Sequence, residues 1–404
     1  MIRHQIGFLA LILSISACSK GSGRSVSTND AMHPIGDTAI VSTDSEVADA
    51  GMPPTADGGP QPTADAGPDS PVVGFIADTL TYRPIGYADD RTLPVYLWYR
   101  GARKTDTPAI HLFLNPENAY EDAQPVDQDP APLIVFSHGR RGFGAYSYFI
   151  AEYFALQGFI VAAMDHTGER IADPIPPEDI YSLRPQDLSA LIDHALNLPD
   201  DHPLSGSTDG RVIAVGHSIG GYTVFAATGA QYDLDFWTAT CADGSDDTFC
   251  PNLATEGERF AHGYADPRID VAIPIAPGDY DLYRGGLNTL QCPTLLITGE
   301  RDQNTGFNGQ NEQIWDDFEG VEHRRVSFTT AGHFSFTNLC DFIGSLGTDD
   351  GCGEMNLPVS EAHAVTLEYM HAFIRRHLFS DESDAALLDG QLSLRDDVRL
   401  MKKD

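Results

Sequence analysis

Asp209-Gly210-Arg211-Val212-Ile213-Ala214-Val215-Gly216-His217-Ser218-Ile219-Gly220-Gly221-Tyr222-Thr223-Val224-Phe225-Ala226-Ala227 is the stretch that decides the fold. Asp209-Gly210 reads as a turn. Val212 to Val215 is a short apolar, mostly β-branched run with the texture of a buried strand. Tyr222 to Ala227 reads as a helix. Between them lies Gly216-His217-Ser218-Ile219-Gly220, the pattern G-x-S-x-G, which occurs once in the chain. A serine on so sharp a strand-to-helix turn is forced outward, with its hydroxyl near the helix N-terminus. The two backbones nearly touch there, so small residues are needed two positions before and after it.

The segments around it repeat the strand–helix alternation. Val95-Tyr96-Leu97-Trp98-Tyr99 alternates like a strand and is expected to pair with Thr79 to Tyr82. Pro132 to Ser137 and Phe159 to Met164 read as buried strands, with an amphipathic helix from Tyr148 to Gln157 between them and Gly158 as its stop. Leu188 to Leu196 has helical spacing, opened by Arg184-Pro185. Later strands are expected at Asp270 to Ile275, Thr294 to Thr298 and Arg325 to Thr329, and a closing helix from Ser360 to Leu378. This order implies an α/β fold: a mostly parallel central sheet with helices on both faces. Ligands of such sheets sit beyond the carboxyl ends of the strands. Residues 231–268 form an insertion after the helix that follows Ser218, a lid or substrate-wall candidate containing Phe236 and Trp237.

A serine hydroxyl needs a base to take its proton, and the base needs a third group to orient it and balance its charge. Asp302 follows the strand Thr294 to Thr298, and His333, in Thr330-Ala331-Gly332-His333, follows the last strand. Both are expected at the sheet edge that holds Ser218, in the chain order Ser, Asp, His. Glu300, Asp279 and Asp281 compete with Asp302 for the acid. The oxyanion formed on attack needs two N–H donors. Ile219 should supply one, and Arg140, in the loop His138-Gly139-Arg140-Arg141-Gly142-Phe143-Gly144, the other. His138 reads as structural. Phe334, Phe336 and Trp237 could line an acyl pocket, though each reads more readily as core.

The chain's net charge of −34 argues against a nucleic-acid partner. Its basic residues include four lysines only: Lys20, Lys104, Lys402 and Lys403. Arg3 followed by the apolar stretch Ile6 to Ile15 reads as an export signal too short to span a bilayer. Ile15-Ser16-Ala17-Cys18 resembles the lipobox of bacterial lipoproteins. That resemblance implies a signal peptide over residues 1–17, a lipid on Cys18 and a membrane anchor; Ser19 next to it implies the outer membrane. Residues 18–73 are rich in Pro, Gly, Ala and Asp and read as a disordered acidic tether. The folded domain is expected over 74–379, followed by a charged tail over 380–404.

Export implies an oxidising compartment. Cys241 with Cys250 and Cys340 with Cys352 each flank a polar loop, and two local disulfides are the economical pairing. Cys292 is then free and buried. No spacing supports a metal site, and the acidic loop Asp243 to Asp247 does not match a calcium loop.

Phe136-Ser137-His138-Gly139, Gly158 to His166, Gly216-His217-Ser218-Ile219-Gly220-Gly221 and Ala331-Gly332-His333-Phe334-Ser335-Phe336 together resemble one group of proteins. It is the platelet-activating-factor acetylhydrolase and dienelactone-hydrolase-like branch of the α/β-hydrolases. The resemblance implies a serine esterase for small ester substrates or lactones, with no cofactor. That branch takes its acid from the end of the preceding strand. There this chain reads Ile273-Pro274-Ile275-Ala276-Pro277-Gly278, without a carboxylate, so Asp302 follows the general α/β-hydrolase pattern. Bacterial polyester hydrolases share the layout. A peptidase of this fold and a non-catalytic envelope binding protein are the alternatives, and the oligomeric state stays open.

Overall fold

A computed structural model describes residues 70–404 except 113, 115, 117, 127–128, 171–172, 174–178, 307–308 and 341–348. The expected signal peptide, Cys18 and the tether up to residue 69 lie outside the described residues. Among the described residues, ten strands form one sheet in the order β10-β9-β8-β7-β6-β4-β5-β2-β1-β3. They are β1 (Val72–Tyr82), β2 (Arg91–Gly101), β3 (Ala119–Glu121), β4 (Ala131–Ser137), β5 (Ile160–Met164), β6 (Thr208–His217), β7 (Ile269–Ile275), β8 (Thr294–Gly299), β9 (His323–Phe328) and β10 (Val398–Lys403). The run β5-β4-β6-β7-β8-β9 is parallel, whereas β1 and β2 pair antiparallel, Tyr82 opposite Arg91, so that Val95–Tyr99 face Gly74–Asp78 and not Thr79–Tyr82.

The sheet is covered on both faces, and the period-2 alternation of β4 shows how. Ile134 and Phe136 pack with helices α1 (Tyr148–Leu156) and α7 (Val359–Phe379), through Ile150, Phe154, Tyr369 and Phe373. Leu133 and Val135 pack on the other side, against Leu188, Leu191 and Val224 of α2 (Ile180–Leu196) and α3 (Ile219–Ala227). Each such buried side chain contributes about 1.5–3 kcal/mol. This is the mostly parallel, two-sided α/β sheet expected.

Strand β1 starts at Val72, so the folded domain begins before residue 74 and the expected tether ends before 73. The structure differs from the sequence expectation in two further places. Helix α2 begins at Ile180, so Pro185 lies inside it. Proline has no N–H to bond the carbonyl one turn back. That carbonyl, of Tyr181, is taken instead by the Tyr222 hydroxyl at 2.7 Å. The second difference corrects the charged tail over 380–404. Ala385–Leu388 forms the short helix α8, and β10 pairs antiparallel with β9, Val398 opposite Phe328. Lys403 Nζ donates to the carbonyls of Trp315, Asp316 and Phe318 at 2.6, 3.0 and 3.0 Å. It thereby caps the C-terminal end of α6 (Gln310–Asp317). A short edge strand interleaved with charges carries little strand signal, because charge is how edges avoid foreign pairing.

The insertion is a helical hairpin, α4 (Leu234–Ala242) and α5 (Phe249–His262), closed by the expected Cys241–Cys250 disulfide. Cys340–Cys352 is the second disulfide, and Cys292 is free and buried, its thiol pushed up to about 12 by burial. No helix among the described residues is long and apolar enough to cross a membrane.

Candidate active site

The chain reverses direction around β4: β5 lies on one side of it and β6 on the other. The loops leaving β4 and β6 therefore meet at one sheet edge, with Ser137 in register with Gly216. This is the crevice such sheets use for ligands. Ser218 follows β6 with φ 60° and ψ −125°, a conformation that L-residues avoid. Contacts hold it there. Its N–H donates to Ile275 O at 3.0 Å, and its carbonyl accepts from Gly221 and Gly278 at 2.8 and 3.0 Å. A Cβ on Gly216 would lie 2.1 Å from Gly220 O, and one on Gly220 would lie 1.9 Å from Ser137 O. Ser218 itself is partly exposed, with buried residues on either side.

His333 lies in a short 3₁₀ turn, His333–Phe336, five residues past β9. Its Nδ1 is 2.8 Å from Asp302 Oδ2. Asp302 also accepts from the backbone N–H of Asn304 and Thr305, at 2.8 and 2.7 Å, and Thr305 Oγ1 lies 2.7 Å from Oδ2. Burial alone would raise this carboxyl. The His333 imidazole and the Thr305 bonds outweigh it and hold Asp302 well below the usual carboxylate range. Burial likewise opposes charge on His333, but the Asp302 carboxylate, with Asp350 behind it, holds the imidazole above its ordinary value.

The competing carboxylates face elsewhere. Glu300 bonds Arg399 at 3.1 Å on the β10 side. Asp279 bonds Arg140 Nη2 and Tyr181 OH at 3.4 Å each. Asp281 is exposed to solvent, whereas Asp302 is buried. Among these four, Asp302 alone meets His333.

The loop after β4 lies directly over Ser218, since a Cβ on Gly139 would come within 3.1 Å of Ser218 Cβ. The Gly139 N–H donates to Tyr146 OH at 2.7 Å. The next N–H along is that of Arg140, the expected oxyanion donor. Its side chain stacks toward Tyr181 and reaches Asp279, at the rim where Thr248 of the hairpin also contacts Tyr181 OH. His138 is structural, as expected. Its Nδ1–H donates to Gly139 O at 2.7 Å, and its Nε2 accepts the His166 N–H at 3.0 Å. Of the aromatic candidates, Phe334 stands edge-on to His333 at 5.3 Å, whereas Phe336 is buried against Phe328 and Trp237 against Phe249.

Sequence reasoning missed three groups. Tyr146 takes the Gly139 N–H and donates in turn to His217 Nδ1. His217 Nε2–H donates to His333 O at 2.9 Å, which ties the loop over Ser218 to the histidine turn. Burial holds His217 neutral, at about 3. Arg184, fully buried, donates to His138 O at 2.7 Å and pairs with Glu169 beneath the same loop. Asp350 is the third. None of these sits in a recognisable motif, although His217 is the first variable position of G-x-S-x-G.

The sequence model of the family "platelet-activating factor acetylhydrolase, isoform II" matches residues 114–173, which include β4, the loop over Ser218 and β5. No curated protein matches the chain. Many solved structures do; among them is a ferulic acid esterase from Streptomyces cinnamoneus. It is 24% identical, with a TM-score of 0.58 over 84% of this chain and 98% of that one. The chain thus has the α/β-hydrolase fold and resembles the platelet-activating-factor acetylhydrolase branch over the stretch that carries the β4 loop.

Proposed function

We propose that the chain hydrolyses small carboxylic esters through a serine acyl-enzyme. The observation that carries this reading is the strained, partly exposed Ser218 at the same sheet edge as a buried His333–Asp302 pair. Ser218 Oγ attacks the ester carbonyl, and His333, whose Nδ1 is committed to Asp302, takes the proton on Nε2. The backbone N–H groups of Ile219 and Arg140 hold the oxyanion, with the N-terminus of α3 aimed at the same point. His333 then returns the proton to the leaving alkoxide, and a water repeats the sequence on the acyl-enzyme. The named acetylhydrolase and ferulic acid esterase support an ester over an amide, and the hairpin rim at Tyr181 and Thr248 supports a confined acyl site. All of these steps use the chain's own side chains and backbone. We also propose that Cys18 carries a lipid that anchors the protein in the outer membrane.

The test is turnover of p-nitrophenyl esters of increasing acyl length, with the matching anilides beside them. Activity should fall as the acyl chain lengthens, the anilides should be poor substrates, and a fluorophosphonate should label Ser218. Equal turnover of long and short esters would refute the small pocket. Anilide turnover matching the esters would point to a peptidase, and no label on Ser218 would refute the mechanism.

A further inference from the structure

Asp302 and His333 both lie in loops, three and five residues beyond the ends of β8 and β9. Strand pairing alone does not fix their separation. A third carboxylate bridges the two loops. Asp350 Oδ1 accepts the backbone N–H of His333 at 2.7 Å and of Gln303 at 3.1 Å, and Oδ2 accepts the Asn304 side-chain amide at 2.6 Å. Its main-chain carbonyl accepts the Phe334 N–H at 2.9 Å. The grip is close on all sides. A Cβ on Gly332 would sit 2.5 Å from Asp350 C, and one on Gly351 would sit 2.4 Å from Ser335 N. Two residues on, Cys352 is bonded to Cys340, whose Sγ lies 3.6 Å from Phe334 O. The disulfide thus pins this segment to the histidine turn from its other end.

We propose that Asp350 is a positioning residue for the His333–Asp302 pair, locked in place by the Cys340–Cys352 disulfide, and that its charge supports the imidazolium formed during turnover. This rests on the serine-hydrolase reading above. The groups facing His333 are Asp302 from the loop after β8, Asp350 from the disulfide segment, and His217, whose ring lies 4.5 Å away at the end of β6. His217 is neutral, so the two carboxylates are the charges that act. A buried carboxylate bonded to three donors, two of them backbone, has little freedom to move. It behaves as a fixed support for the groups beside it.

The experiment compares Asp350→Asn, Asp350→Glu and the double variant Cys340→Ser/Cys352→Ser with the parent chain. Asp350→Asn keeps the shape and removes the charge. Its kcat on p-nitrophenyl acetate should fall roughly 10–100-fold while KM changes less than about twofold, the pattern of lost transition-state support. The acid limb of its kcat/KM profile should move to lower pH by about half to one unit, because removing a negative neighbour lowers the His333 pKa. Asp350→Glu should restore the limb and only part of kcat. Imidazole NMR of His333 should report the same shift without reference to turnover. An unmoved limb with an unmoved His333 titration would overturn the proposal. If Asp350→Asn fails to fold, the double cysteine variant decides, and full kcat there would overturn it equally. Ester turnover that survives Ser218→Ala would instead sink the serine-hydrolase reading, and the NMR titration would still judge Asp350.

Discussion

Two Ser–His–Asp sets lie among the described residues, and in each the histidine Nδ1 stands 2.8 Å from its aspartate. In one, His333 Nδ1 stands 2.8 Å from Asp302 beside Ser218. In the other, Ser137 Oγ stands 2.9 Å from His166 Nε2, and His166 Nδ1 stands 2.8 Å from Asp187. The second set is the better hydrogen-bonded, and the proposed chemistry does not use it. Ser137 ends a regular strand and is fully buried, so no substrate reaches it. Arg184 also donates to its oxygen, at 3.2 Å. Asp187 is spent on a two-pronged bond with Arg91, at 2.7 and 2.9 Å, and on the Tyr82 hydroxyl at 2.5 Å. Burial and then the Arg184 charge drive His166 down to about 3, whereas two carboxylates hold His333 up. On the proposed mechanism, residue identity and spacing do not make a catalytic set. Access, a strained nucleophile and the sign of the surrounding charge do.

Three comparisons, at the serines, at the acids and in the titration of the two histidines, would break or sharpen that contrast. The largest effect is expected at the serines. Ser218→Ala should cut ester turnover at least about 10⁴-fold with little change in stability, since triad members act as a unit. Ser137→Ala should instead leave a working site but lower stability by about 1–3 kcal/mol, the cost of unsatisfied buried partners. Comparable loss of turnover in both would erase the distinction, and kinetics with thermal melts would show it. At the acids, Asp302→Asn should cost roughly 10³–10⁴-fold in kcat by upsetting the histidine tautomer. Asp187→Asn strands the Arg91 charge and should cost about 3–5 kcal/mol in denaturant unfolding, with kcat affected less. The smallest effect is in titration. Turnover needs neutral His333, whose pKa is raised, so the acid limb of kcat/KM should lie above the ordinary imidazole value of about 6.5. His166 should stay neutral by NMR down to about 3. A limb below the ordinary value would mean that the carboxylates do not govern His333.

Much of the site could be read along the chain. The elbow at Ser218 is legible because three constraints coincide within a few residues: a β-branched strand, flanking glycines and a helix start. His333 is legible because a glycine precedes it just past the last parallel strand. Asp302 stayed one of four carboxylates, since loop conformation decides which acid turns inward. Thr305 and the Asn304 backbone make that choice by bonding Asp302 from within its own loop. Arg184 was hidden in a helix whose start the proline obscured, and β10 among charged residues that read as a tail.

By itself the sequence determined the strand–helix alternation of the parallel part of the sheet, the elbow and the chain order of Ser, Asp and His, and it made the two local disulfides the economical pairing. Each of these depends on spacings of a few residues or on periodicity, which the chain carries locally. Only the tertiary structure decided which acid meets His333, which of two Ser–His–Asp sets faces the crevice, and that Asp350 joins the loops. Those outcomes bring together residues from Ser137 to Asp350, and burial and charge exist only once the chain has closed around them.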